Sequence, residues 1–96
     1  MQKFMKFPQR FKIFVSPQKV RFQWAVYVGR AIFSDLKNAI QAEDSAIEIS
    51  DETAITYTAT NDVKCFITDN SNLQELLITR AARQYCMLNL NLETRT

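Results

Sequence analysis

The chain has 96 residues, 47% of them apolar and 11% aromatic, with twelve basic and ten acidic side chains. A chain this short makes one small domain with a single core and leaves no room for a large internal cavity. The ordinary apolar fraction and the net charge of +2 argue against disorder, and there is no run of about 18 apolar residues to span a bilayer.

Charge is segregated along the chain. Residues 1–34 hold seven basic residues (Lys3, Lys6, Arg10, Lys12, Lys19, Arg21, Arg30) and no acid. Residues 35–75 hold nine acids against Lys37 and Lys64. The first residues, Met1 to Pro8, interrupt their apolar run with lysines, so they lack the apolar stretch of a secretory signal. The expected location is therefore cytoplasmic, and Cys65 and Cys86 read as reduced, buried thiols. Phe4, Phe7, Phe11 and Phe14 have the spacing of an interfacial membrane helix, but Pro8 inside that span penalises it.

Phe11–Val28 reads as a hairpin. Phe11, Ile13 and Val15 alternate with Lys12 and Phe14, and Val20, Phe22, Trp24, Val26 and Val28 alternate with Arg21, Gln23, Ala25 and Tyr27. Ser16-Pro17-Gln18-Lys19 supplies a connection with the composition of a type I turn. Pairing Val15 with Val20 places Ile13 opposite Phe22 and Phe11 opposite Trp24, so both apolar faces coincide. The alternative is one long helix from Pro17 to Ala42, capped by Ser16. Six β-branched or aromatic residues from Trp24 to Phe33 inclusive, and Gly29 in mid-helix, oppose it.

On either reading residues 30–42 are helical, with Ile32, Phe33, Leu36, Ala39 and Ile40 on one face. Period-2 alternation then predicts a three-stranded antiparallel meander: 46–50, 53–59 and 63–68, with turns at 51–52 and 60–62 and with Thr56 and Thr58 on the solvated face. A second helix is expected over 71–88, its start marked by Asn72 and Glu75 at capping-box spacing. Leu73, Leu77, Ala81, Tyr85 and Leu88 form its stripe. The tail from Asn89 to Thr96 reads as a short edge strand or a frayed end. The fold class is thus α+β: an N-terminal hairpin (or long helix), a helix, an antiparallel meander and a C-terminal helix. Its expected core joins Phe22, Trp24, Leu36, Ile40, Ile55, Leu73 and Leu77.

No catalytic apparatus is recognisable. Histidine is absent, which removes the Ser-His-Asp and Cys-His pairs and most zinc sites. The lone Gly29 cannot form a phosphate-cradling loop. The acid pairs Glu43-Asp44 and Asp51-Glu52 fall at expected helix ends or turns, where acids serve solvation. Asp69 to Asn72 lacks the glycine and the final glutamate of a calcium loop. No catalytic residue, metal or cofactor is assigned, and the chain reads as non-enzymatic.

The functional signal is the basic, aromatic N-terminal third. On the hairpin, Arg10, Lys12, Phe14, Arg21, Gln23 and Tyr27 share the face opposite the core, and Lys19 stands at the turn. The first reading is a module that binds a larger protein, as an adaptor, assembly factor or small inhibitor of the kind that phages and mobile elements also encode. The second is nucleic-acid binding, with cations holding phosphates while bases stack on the rings. A membrane partner is disfavoured, and self-association is compatible with either reading.

Overall fold

A computed structural model describes residues 7–59 and 61–94. The chain begins with β1 (Gln9–Ser16) and β2 (Val20–Val26), followed by a 3₁₀ turn at Val28–Arg30 and helix α1 (Phe33–Glu43). Next come β3 (Thr53–Thr58), β4 (Lys64–Ile67), helix α2 (Asn70–Ala82) and β5 (Met87–Thr94). All five strands form one sheet in the order β2-β1-β5-β3-β4. Every neighbouring pair is antiparallel except β1 and β5, which run parallel at the centre.

The hairpin forms in the expected register. Val15 faces Val20, Ile13 faces Phe22 and Phe11 faces Trp24, so the long-helix alternative is excluded. Phe11, Ile13 and Val15 are fully buried, and Arg10 and Lys12 are exposed on the other face. The turn differs in detail from a type I turn: the Ser16–Pro17 peptide is cis, and Lys19 takes φ 61°.

Helix α1 starts at Phe33, later than expected, because Ile32 is extended. Ile32 also lies exposed, while Leu36 and Ile40 face the core. No side chain of α1's own N-cap residue serves it; the Asn70 Oδ1 at the start of α2 accepts the Phe33 N–H at 2.7 Å. Gln74 of α2 donates to the Ala31 carbonyl at 2.9 Å. The first bond satisfies an N–H that a helix entry leaves open, the second a carbonyl of the segment leading into α1, and together they tie α2 to the start of α1.

The expected meander has only two of its three strands. Residues 47–50 pair with no strand. Their alternation has another cause: Ile47 is buried and Ile49 is half-buried against the core, while local bonds such as Ile47 N–H to the Asp44 carbonyl hold the path. Part of the expected 60–62 turn, Thr60, lies outside the described residues.

Helix α2 is capped by Asp69, whose carboxylate accepts the Asn72 N–H at 2.8 Å, and not by Asn72. The Asn72 side chain instead accepts from Thr68. The helix ends at Ala82, well short of residue 88. Gln84 takes φ 56°, Tyr85 N–H bonds back to the Arg80 carbonyl and Gln84 N–H to that of Ala81. These are the two bonds of a Schellman stop. Leu88 therefore belongs to a strand. Leu88 and Leu90 are fully buried and Leu92 half-buried, with Asn89 and Asn91 on the opposite face. The C-terminal segment, expected to be an edge strand or frayed, is the central strand of the sheet.

The core lies between one sheet face and the helices: Phe11, Ile13 and Val15 of β1, Leu36 and Ile40 of α1, Ile55 and Ile67 of β3 and β4, Leu73 and Leu77 of α2, and Leu88 and Leu90 of β5. Of the expected core, Phe22 and Trp24 pack against this cluster but stay half-buried. They lie on β2, an edge strand with a neighbour on one side only. Among the described residues no helix is long and apolar enough to cross a membrane. Phe4, which entered the interfacial-helix alternative, lies outside the described residues. Phe11 and Phe14 of that alternative sit on strand β1, which rules out a helix through them.

Candidate binding face

The outer face of the sheet is built by strand parity. β1 contributes Arg10, Lys12 and Phe14, β2 contributes Arg21 and Gln23, and β5 contributes Met87 and Asn89. Register places Lys12 between Gln23 and Met87, and Phe14 between Arg21 and Asn89. The Arg21 guanidinium lies over the Phe14 ring at 5.0 Å, within range of a cation–π contact. A shallow groove of about 750 Å³ runs along this face, lined by Lys12, Phe14, Ser16, Arg21, Gln23, Met87 and Asn89 among others.

The structure therefore brings Arg10, Lys12, Phe14 and Arg21 onto one face. Lys19 sits at the adjoining turn and is exposed. Tyr27 departs from the pattern: it follows the end of β2, its carbonyl accepts the Arg30 N–H at 2.8 Å, and it is exposed at the exit from the sheet. Met87 and Asn89 complete the groove. Sequence reading missed them because their strand was assigned to a helix end and tail, although the Leu/Asn alternation of residues 88–92 is itself a strand signal.

The far half of the same face is electrically closed. Lys64 of β4 pairs with Glu93 of β5 at 2.9 Å, the only ion pair among the described residues. Thr56 and Asn91 also donate to Glu93, each at 3.2 Å. Thr56 is thereby buried, contrary to its expected place in solvent. Among the described residues Arg10, Lys12, Lys19 and Arg21 have no such carboxylate partner. The uncompensated positive charge of the sheet is thus concentrated on β1, β2 and their turn.

The hydrogen bond from Lys64, helped by those of Asn91 and Thr56, holds the Glu93 carboxyl below its ordinary range. A carboxyl depressed by folding adds stability above its unfolded-state pKa and loses that contribution as pH falls through the folded value. Lys64→Ala should therefore raise the Glu93 titration midpoint in carboxyl NMR. The variant's stability deficit should also shrink as pH drops through the acid range. An unmoved midpoint would show that Lys64 is not the cause. Because the pair is exposed, only a small effect on stability is expected.

Elsewhere, Arg80 of α2 lies against Tyr85 and Tyr57, at 5.2 and 6.0 Å, and donates to the Met87 carbonyl at 2.8 Å. It ties the end of α2 to the start of β5. Partial burial, reinforced by the neighbouring Cys65 thiol, raises the Tyr57 phenol above its ordinary value. Both cysteines are free and half-buried, so neither is a fully buried thiol. No group of three His, Cys, Asp or Glu side chains suited to a metal occurs among the described residues.

No protein-family model and no curated protein matches the sequence. Among solved structures, the AtNBR1-PB1 domain superposes with a TM-score of 0.64. The match covers 90% of this chain and 98% of that one, at 18% sequence identity. The chain has a PB1-like, ubiquitin-like β-grasp fold. At this identity the likeness is one of fold. In this chain β5 runs antiparallel beside β3, in the place that the expected strand at 46–50 would have filled.

Proposed function

We propose that this chain is a non-enzymatic protein-binding module whose β1–β2 face docks against an acidic surface of a larger protein. The carrying observation is the set of four cations, Arg10, Lys12, Lys19 and Arg21, on or beside one sheet face with no carboxylate partner among the described residues. Around them lie the half-buried Phe14 and exposed Met87, which provide an apolar centre within a charged rim, as protein interfaces commonly have. The PB1 likeness supports the reading, since a PB1 domain is a protein–protein interaction module. An adaptor, assembly-factor or inhibitory role is the form such binding takes on this proposal.

The nucleic-acid alternative needs free rings on which bases stack. Phe14 is the ring on the β1–β2 part of this face, and Arg21 already covers it; the exposed Phe66 stands on β4, across the sheet beside the neutralised Lys64–Glu93 pair. Tyr27 stands beyond the strand end. This arrangement favours the protein partner.

The test is affinity capture from the native host with and without nuclease, followed by titration of each purified partner. Partners should survive nuclease, and Lys12→Glu should weaken binding by about 2 kcal/mol or more, at least roughly 30-fold. Reversing Arg10, Lys12 and Arg21 together should abolish binding while the thermal melt is kept. Salt-sensitive, submicromolar binding of the purified chain to generic oligonucleotides at about 0.15 M salt would instead establish the nucleic-acid reading.

A further inference from the structure

β2 is an edge strand, and among the described residues nothing pairs with the hydrogen-bonding ladder on its outward side. Its orientation follows from one bond: Lys12 donates its N–H to the carbonyl of Cys86, just before β5, at 3.0 Å. At Lys12 the backbone groups therefore point toward β5 and away from β2. Its β2 partner, Gln23, is then a non-hydrogen-bonded pair member, and its own N–H and C=O point to the open edge. By alternation those of Arg21 and Ala25 do too. Natural edges are usually blunted by shortness, proline, bulges or inward charges. The other edge strand, β4, has four residues; β2 has seven, without proline or an inward charge.

The sequence of β2, Val-Arg-Phe-Gln-Trp-Ala-Val, reads nearly the same in both directions about Gln23. We propose that β2 pairs antiparallel with β2 of a second copy, joining two five-stranded sheets about a two-fold axis through Gln23. In that register Gln23 faces Gln23, Arg21 faces Ala25, Phe22 faces Trp24 and Val20 faces Val26. The three residues with outward backbone groups meet only each other, so every ladder group on both edges is satisfied. The half-buried Phe22 and Trp24 find aromatic partners on the helix side of the sheet.

Charge is compatible with this occupant. Each Arg21 meets a neutral Ala25, and its guanidinium leans away over Phe14. Arg10 and the second copy's Arg21 are the nearest like charges, two strand spacings or about 10 Å apart, roughly one Debye length at physiological salt. The area is modest. Four half-exposed aromatics, each worth about 150–250 Å² when fully buried, add only about 300–500 Å², so the join falls below the roughly 1,200 Å² of standard specific interfaces and in the weak, transient class. A weak, reversible dimer follows, with the basic faces of both copies on one side of a continuous sheet. This inference is independent of the acidic-partner reading, since a monomer can bind that partner equally well.

Sedimentation of the full chain should show monomer near about 1 µM and a dimer with a dissociation constant on the order of 100 µM. Gln23→Cys, with Cys65→Ser and Cys86→Ser, should form a covalent dimer on mild oxidation, because a hydrogen-bonded antiparallel pair sets the two Cα atoms about 5.5 Å apart, within disulfide range. Arg21→Cys in the same background should form no covalent dimer, its copies being roughly 14 Å apart. Gln23→Pro removes only an outward donor, where an edge tolerates proline, and should weaken dimerisation at least tenfold. A chain monomeric at about 1 mM, ten times the expected constant, would overturn the proposal. So would equal cross-linking of the two cysteine variants. Pairing of β2 with a strand of another protein while this chain stays monomeric would overturn the choice of occupant.

Discussion

Removing residues 87–96 should abolish cooperative folding, because the segment supplies the strand on which the two halves of the sheet meet. β5 pairs with β1 on one side and β3 on the other. Without it, β1–β2 and β3–β4 become two separate hairpins, and a two-stranded hairpin is marginal at best in water. The same cut removes Leu88 and Leu90, both fully buried. Losing a single core leucine costs about 2–5 kcal/mol, against a total stability of about 5–15 kcal/mol for a small domain. The truncated chain should therefore lack amide dispersion in a proton–nitrogen correlation spectrum and show no sigmoidal urea transition. A cooperative transition in the truncated chain would mean that the tail is peripheral.

That dependence on the last ten residues is the part of the fold hardest to see in the sequence. Local pairing was legible: Val15 with Val20, Ile13 with Phe22 and Phe11 with Trp24 follow from alternation and a short turn, and the structure keeps that register. So did the helical character of residues around Leu36 and Ile40, and the strands around Ile55 and Ile67. The parallel pairing of β1 with β5 has no local signal, because residues more than seventy positions apart must meet. Leu88 also satisfies two periodicities, continuing the α2 stripe from Leu77 and Ala81 and opening the Leu/Asn alternation. The Schellman stop at Gln84 decides between them, and with no glycine there the sequence carries no obvious mark of it. Likewise, α1 is capped from a distance by Asn70.

The candidate face shows the same division between local and remote information. Arg10, Lys12, Phe14 and Arg21 share a face because the hairpin register puts them there. That Lys64 drops out of the positive surface depends on Glu93, which lies 29 residues further along the chain. The half-burial of Phe22 and Trp24 depends on β2 being an edge, which alternation within a strand cannot reveal: the apolar parity of β2 is as regular as that of β1.

Edge and centre differ most in what a truncation costs. Phe11 is fully buried on β1, flanked by β2 on one side and β5 on the other. Its cross-strand partner Trp24 is half-buried. Phe11→Ala should cost about 3–5 kcal/mol, a cavity in a core too small to collapse around it. Much of the chain would then be unfolded at 37 °C if the parent lies at the lower end of the usual stability range, about 5 kcal/mol. Trp24→Ala removes the larger side chain but exposes less newly wetted apolar surface, since part of the indole already faces water. Its cost should be about half that of Phe11→Ala when burial is scaled at about 25 cal/mol per Å². Urea denaturation of both variants, at protein concentrations low enough to keep the chain monomeric, compares them directly through midpoint and slope. If Trp24→Ala proved as damaging as Phe11→Ala at unchanged slope, β2 would not be an edge in solution, and the indole would be covered by something that the monomer does not contain.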